Sequence, residues 1–312
     1  MPDTLIASEP VIAGIQPEDR ALLQFIAYFD VFDFPLTLHE LANFTGNKNA
    51  DKLAPVLQRL QKNKKINFLS GFYFLPGREQ IIQKRKENEN RAKKFFPKVP
   101  VWARLIQRFP FVRSVCISGS LSKGTMPKKG DVDYFIITEP GKLWVCRTLL
   151  ILFKKIFLLN SKKYFCVNYF LDHDNLEVPD KNLFTATEII FLVPLSGEKY
   201  HRQFLEANAW IKEYYPSFVH PYHLPSSQKK ALIQQAAEFL LDNRAGDKLD
   251  DWFMRTTLAR WKKKFPHFRE EDFEIAMRTR KNVSKHHPNH FQEKVMQRFQ
   301  LNMNNVVHQP EQ

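Results

Sequence analysis

The chain has 312 residues, 47 Lys and Arg against 33 Asp and Glu, and a formal net charge of +14. With 26% charged and 44% hydrophobic residues its composition is globular, which excludes a disordered or fibrous chain. Three cysteines, Cys116, Cys146 and Cys166, with no CxxC pair, exclude a disulfide framework and a structural zinc site; each is expected as a small buried hydrophobe.

From the start of the chain, Met1 to Pro10 carries acids and no basic-then-apolar targeting pattern. The residues from about 17 to 78 read as three short helices and a hairpin. Leu22, Leu23, Ile26 and Phe29 recur at helical spacing. Thr37-Leu-His-Glu40 matches a capping box and opens a short helix that ends near Gly46. A third helix, Asp51 to about Lys62, places Leu53, Val56, Leu57 and Leu60 on one face and leaves Lys52, Arg59 and Lys62 exposed. Two apolar runs around Ser70-Gly71 then signal a β-hairpin.

Residues 79–110 form a basic helical connector punctuated by Pro97 and Pro100. Between Arg59 and Arg113 stand 15 Lys and Arg against 3 Asp and Glu, and from Arg255 to the end 12 against 6. The charge excess therefore flanks the centre of the chain. Charge alone fits any anionic partner and says nothing of fold.

The central stretch, residues 111–180, carries the chemistry. Val115 to Ile117 reads as a buried strand, followed by Gly119-Ser120, a loop with Lys123, and Asp131-Val132-Asp133 leading into the apolar strand Tyr134 to Thr138. Gly119, Gly124 and Gly130 cluster here in a chain with only 10 Gly, which points to a special backbone path. Asp131 and Asp133, one residue apart on a strand, point to the same face, with Val132 turned into the core. Two carboxylates that close repel unless a cation lies between them, and hard divalent ions with substrate phosphates suit the pair. Backbone N–H groups beside Gly119, with the Ser120 hydroxyl and the Lys123 ammonium, are placed to meet phosphate oxygens.

Leu143 to Leu159 is the most apolar stretch, but Arg147, Lys154 and Lys155 interrupt it and it falls short of the ~20 residues of a membrane span. It reads as a core helix, so the expectation is a reduced, cytoplasmic protein with no membrane partner. Helical patterns follow from Phe184, over Glu198–Tyr214, Ser226–Asn243, Asp247–Lys264 and Arg269–Lys281, separated by Pro194, Pro216, Pro221 and Pro225. Residues 181–312 are thus expected to be a helical domain with frayed last residues. Trp210, Trp252 and Trp261 fall in these helices and are expected to pack in a core. In the His-rich stretch, Pro288 breaks the helix that would join His286 to His290, which argues against zinc; Lys281 or Lys285 can contact phosphate or acceptor instead.

Gly119-Ser120, a spacer, then Asp131-Val132-Asp133 resembles the signature of the DNA polymerase beta-like nucleotidyltransferase superfamily. Residues 1–78, by element order, resemble a winged helix-turn-helix. The resemblance implies an α+β fold: a mixed-sheet nucleotidyltransferase core with an N-terminal winged-helix-like module and a C-terminal helical domain. It implies two Mg²⁺ ions on Asp131 and Asp133, an NTP whose phosphates meet Gly119, Ser120 and Lys123, and transfer of an NMP group to an acceptor hydroxyl. Members usually carry a third carboxylate on a later strand. Here that strand, Tyr164 to Leu171, has Asn168 in its interior, and an amide cannot serve as general base. Asp172, in the same alternating phase, is the candidate for that role. The alternative is a catalytically degenerate nucleotide-binding protein acting as a winged-helix regulator or nucleic-acid adaptor. The acceptor stays open between a small molecule and a nucleic acid; a closed pocket would favour the former and a continuous basic groove the latter.

Overall fold

The computed structural model describes residues 16–47, 50–218, 230–286 and 290–307. It begins with helix α1 (Pro17–Asp30), the short strand β1 (Leu36–Thr37), helices α2 (Leu38–Thr45) and α3 (Ala50–Lys62), and strands β2 (Asn67–Leu69) and β3 (Phe72–Phe74). Local chemistry sets these elements. The Thr37 hydroxyl accepts the Glu40 backbone N–H at 3.2 Å while the Glu40 carboxylate takes the Thr37 N–H at 2.8 Å, which satisfies two helix-terminal donors at once. Gly46 leaves α2 in the left-handed region, at φ 72°. Strand β3 pairs antiparallel with β2 on one side and β1 on the other. On α3, Lys52 and Lys62 are exposed, but Arg59 is held by Asp19 of α1, its Nε donating at 3.0 Å.

The basic connector is helix α4 (Gln80–Phe95), a 3₁₀ turn, and helix α5 (Val99–Gln107). Then come strand β4 (Val112–Ser118), the short helix α6 (Gly119–Ser122), strand β5 (Asp133–Thr138), helix α7 (Leu143–Phe157) and strand β6 (Cys166–Asp172). Helix α8 (Leu183–Ile190), strand β7 (Val193–Ser196) and helix α9 (Glu198–Ala207) follow. The remainder comprises helices α10 (Leu232–Leu241), α11 (Arg244–Lys264) and α12 (Glu270–Ala276), strands β8 (Thr279–Arg280) and β9 (Val283–Lys285), and helix α13 (Phe291–Val307). One six-stranded sheet runs in the order β7-β4-β5-β6-β9-β8. Strands β5 and β6 are parallel, joined across α7, and the other neighbours are antiparallel, so the sheet is mixed.

Three expectations are corrected. Pro194 lies between helices α8 and α9 as expected, but what stands there is strand β7, on the sheet edge, where proline is tolerated. The C-terminal third is not all helical: Val283 to Lys285 pairs with Leu171 to Tyr169 and turns back into β8, so this region completes the sheet. Nor do residues 303–307 fray, because Val306 is buried and its carbonyl accepts the Lys65 ammonium at 2.9 Å. Trp261 is buried as expected, whereas Trp252 is 58% exposed. Pro221, Pro225, Pro288 and residues 308–312 lie outside the described residues.

Strand alternation divides the interior. Tyr134 and Ile136 of β5 join Val115 and Ile117 of β4 in a cluster covered by α5 and α7. Phe135 and Ile137 point to the other face and belong to a cluster with Leu22, Phe29, Phe44, Ile189, Phe204 and Phe299. The N-terminal helices, the sheet and α13 therefore share one continuous core. Asn302 of α13 donates to the Ala27 carbonyl at 3.0 Å, which ties the last helix to the first.

This shared core makes a measurable demand. Phe299 is buried and its ring lies 5.8 Å from that of Tyr28. Phe299→Ala should cost about 3–5 kcal/mol. Urea unfolding followed by tryptophan fluorescence and by far-ultraviolet circular dichroism should shift together in one transition; separate transitions would contradict a common core.

Candidate active site

The site grows from the ends of β4 and β5. Strand β4 ends at Ser118, and Gly119 turns the chain with φ 69°. A Cβ at Gly119 would stand 2.6 Å from Asp133 Oδ2, so glycine is required both by the backbone angle and by the carboxylate beside it. Ser118 pairs directly with Asp133 in the ladder. Regular strand begins at Asp133, with Asp131 and Val132 just before it. Val132 is fully buried, its N–H donates to the Lys163 carbonyl at 3.1 Å, and its own carbonyl accepts the Cys166 N–H at 3.1 Å. The Asp-Val-Asp segment is thus pinned against the start of β6, and its two carboxylates cannot spread apart freely.

Burial first, and repulsion from Asp131 second, push the Asp133 carboxyl up to about 7. Asn168 Nδ2 donates to Asp133 Oδ1 at 2.9 Å. Cys166, the register partner of Asp133 on β6, brings its sulfur into the same group: ligand atoms of Asp131, Asp133 and Cys166 all lie within 4.8 Å of one another. Lys123 faces the site but is engaged, pairing with Glu188 at 2.8 Å and donating to the Gly119 carbonyl at 3.2 Å.

Gly119, Ser120, Lys123, Asp131 and Asp133 line one cavity of about 790 Å³. Asp172 does not join them. It pairs with Thr138 at the far end of β5, five residues along from Asp133, a distance of about 16 Å at 3.3 Å per residue. Its carboxylate accepts the Asp174 N–H and the Asn175 amide, the role of a turn cap. The phase argument for Asp172 fails on a β-bulge. Val167 pairs with Tyr134 and Tyr169 with Phe135, so Asn168 is an extra residue and the alternation shifts beyond it. Lys285 lines the cavity but pairs with Asp180 at 3.3 Å, and Lys281 is held by Asp250 at 3.1 Å and by Asp251.

The sequence reading missed Cys166 and Glu188. The signal for Cys166 was its place at the start of the strand paired with Asp-Val-Asp; for Glu188 it was a lone acid in the apolar helix α8. It also missed the far wall of the cavity, where Phe29, Phe32 and Phe34 from the N-terminal residues meet Phe184 and Phe291. Asp272, His290 and Glu293 form a further cluster on this cavity, with Asp272 forked by Arg269.

The donor set fits a divalent cation. Two carboxylates and a thiol converge, one carboxyl is driven to keep its proton in the absence of a counter-charge, and Gly119 leaves Asp133 Oδ2 open on one side. Residues 101–209 match the family model described as a nucleotidyltransferase domain. No curated protein and no solved structure matches the chain. Among the described residues no helix is long and apolar enough to cross a membrane.

Two outcomes follow. In EDTA, folded Asp133 holds a proton that the unfolded chain releases from about pH 4, so stability falls as pH rises to about 7 and is level above. Asp133→Asn abolishes that fall and should be more stable than the parent by ~1–3 kcal/mol at pH 8 in urea titrations. Gly119→Ala should be less stable by ~1–3 kcal/mol, from the strained φ and the contact with Asp133. An unchanged midpoint would refute the cradle.

Proposed function

From the match of residues 101–209 to the nucleotidyltransferase domain family, we propose that the chain carries a polymerase beta-like core and transfers an NMP group from an NTP to a hydroxyl of a small acceptor. The observation that carries this is the Asp131–Asp133 pair beside Gly119, converging on a cavity large enough for a nucleotide and a partner.

In this reading Asp131 and Asp133 hold the divalent cation. When bound there, the cation neutralises phosphate charge and polarises the reacting oxygens. The Ser120 hydroxyl and the backbone beside Gly119 orient the β- and γ-phosphates. Lys123 is drawn from Glu188 to the incoming phosphate, since the two anions compete for one ammonium. Asn168 cannot take a proton from the acceptor. Glu188 can: it lines the cavity and lies near enough to raise the Asp133 pKa. Glu188, not Asp172, is therefore assigned the proton from the acceptor hydroxyl.

A small acceptor is favoured by the phenylalanine wall, which offers stacking and apolar contact. The described residues before 79 then act as a cover of the core, with 79–110 as the connector, while β7, β8 and β9 of the C-terminal part complete the core sheet. The Asn168–Asp133 hydrogen bond favours a second reading, a degenerate domain that binds nucleotide without transfer.

Each labelled NTP should be incubated with a divalent cation and a panel of small hydroxyl compounds and oligonucleotides. Label should move to a small compound, and Asp131→Ala/Asp133→Ala should reduce transfer more than about 100-fold, because loss of outer-sphere partners alone costs about 10–100-fold. Turnover unchanged in the double variant sinks the site assignment. Binding without transfer in every arm establishes the degenerate reading.

A further inference from the structure

The three cysteines do not share one environment. Cys116 and Cys146 belong to the two hydrophobic clusters of the sheet. Cys166 is equally buried, 1% exposed, yet it is a member of neither cluster. Its neighbours are carboxylates: the sulfur lies within 4.8 Å of ligand oxygens of both Asp131 and Asp133, and the residue lines the cavity. The parallel register sets this directly, since Asp133 and Cys166 are paired across β5 and β6.

No other group takes the third position among the described residues. Asn168 is committed to Asp133 Oδ1, Glu188 to Lys123, and Asp172 lies at the other end of the strand. We propose that Asp131, Asp133 and Cys166 form a mixed oxygen–sulfur site for a borderline divalent cation of the Zn²⁺ or Co²⁺ class, held in preference to Mg²⁺. The proposal rests on the nucleotidyltransferase reading for its cation and changes the identity of that cation. Thiolate sulfur selects such ions, whereas a site built for Mg²⁺ offers oxygen and retained water. As the sulfur–metal bond forms, the S–H bond breaks and its proton passes to the buffer.

The test is optical and does not depend on turnover. Metal-free full-length protein is titrated with Co²⁺, and the near-ultraviolet thiolate-to-cobalt absorption is followed. The band should develop to one equivalent, persist against a large excess of Mg²⁺, and be unaffected in Cys116→Ser and Cys146→Ser. In Cys166→Ser it should vanish, with Co²⁺ affinity weakened about tenfold or more, since outer-sphere losses alone reach 10–100-fold. Cys166→Asp should bind Co²⁺ without the band and bind Mg²⁺ more tightly than the parent. Saturable Co²⁺ binding with no sulfur band in the parent protein overturns the proposal whether or not any variant folds. So does a band that survives Asp131→Asn/Asp133→Asn. Binding of a fluorescent NTP analogue, measured in parallel with Mg²⁺ and with Co²⁺, separates the two readings. If it binds while the sulfur band is absent, the thiol assignment falls and the nucleotide site stands. If it binds with neither ion, the nucleotide reading falls.

Discussion

Two carboxylates fixed in one partly buried wall repel, and the surroundings of Asp131 and Asp133 are arranged about that repulsion. The segment cannot relax, because Val132 is buried and both of its backbone groups are bonded to the chain entering β6. One carboxyl answers by keeping a proton to about neutral pH. A divalent cation answers it better, and Gly119 leaves room for one by having no side chain against Asp133 Oδ2. The glycine, the buried valine and the ladder bonds are thus parts of one device that makes a local electrostatic cost available for binding.

The wall facing this pair comes from the two ends of the chain. Sheet alternation sends Phe135 and Ile137 toward α1 and α13, so the core that stabilises the N-terminal helices also bounds the cavity. Several arginines help to hold this arrangement. Arg85 is buried, donates to the Pro35 carbonyl at 2.7 Å and to Glu40 at 2.7 Å, and lies over the Phe34 ring. Arg78 pairs with Asp30, Arg91 donates to the Met126 carbonyl, and Arg278 pairs with Asp180. These arginines of the basic runs therefore act as internal fasteners, while Lys84, Lys86, Lys93, Lys94 and Lys98 of the same connector stay exposed.

What was legible in the sequence was what is written locally. Thr37 and Glu40 find each other across one helical turn, Ser70-Gly71 turns a hairpin within four residues, and Asp131 and Asp133 share a face by the period of a strand. What was not legible depended on pairing between distant segments. Cys166 meets Asp133 only through the β5–β6 register, with helix α7 between them in sequence. Pro194 reads as a breaker until its strand is known to lie on an edge. Asp172 shows the hazard most clearly: counting by twos from Asn168 gives it the right phase, but the bulge at Asn168 breaks the count.

That bulge also decides how the site divides its labour. A residue inserted at this point lets Asn168 and Tyr169 both line the cavity, and the amide can then donate to Asp133 Oδ1. With Oδ1 occupied, Asp133 has Oδ2 left, on the side toward Gly119. The residue of β6 in direct register with Asp133 is Cys166, whose sulfur lies in the same group as the two carboxylates. Strand β6 therefore supplies an amide and a sulfur where a carboxylate would serve both as ligand and as base. In the proposed transfer the acceptor's proton would therefore pass to another element. Helix α8 carries Glu188, the carboxylate proposed for that role, which pairs with Lys123 at 2.8 Å. On that proposal cation binding and proton acceptance sit on different elements, with Lys123 bonded to Glu188 on one and to the Gly119 carbonyl on the other.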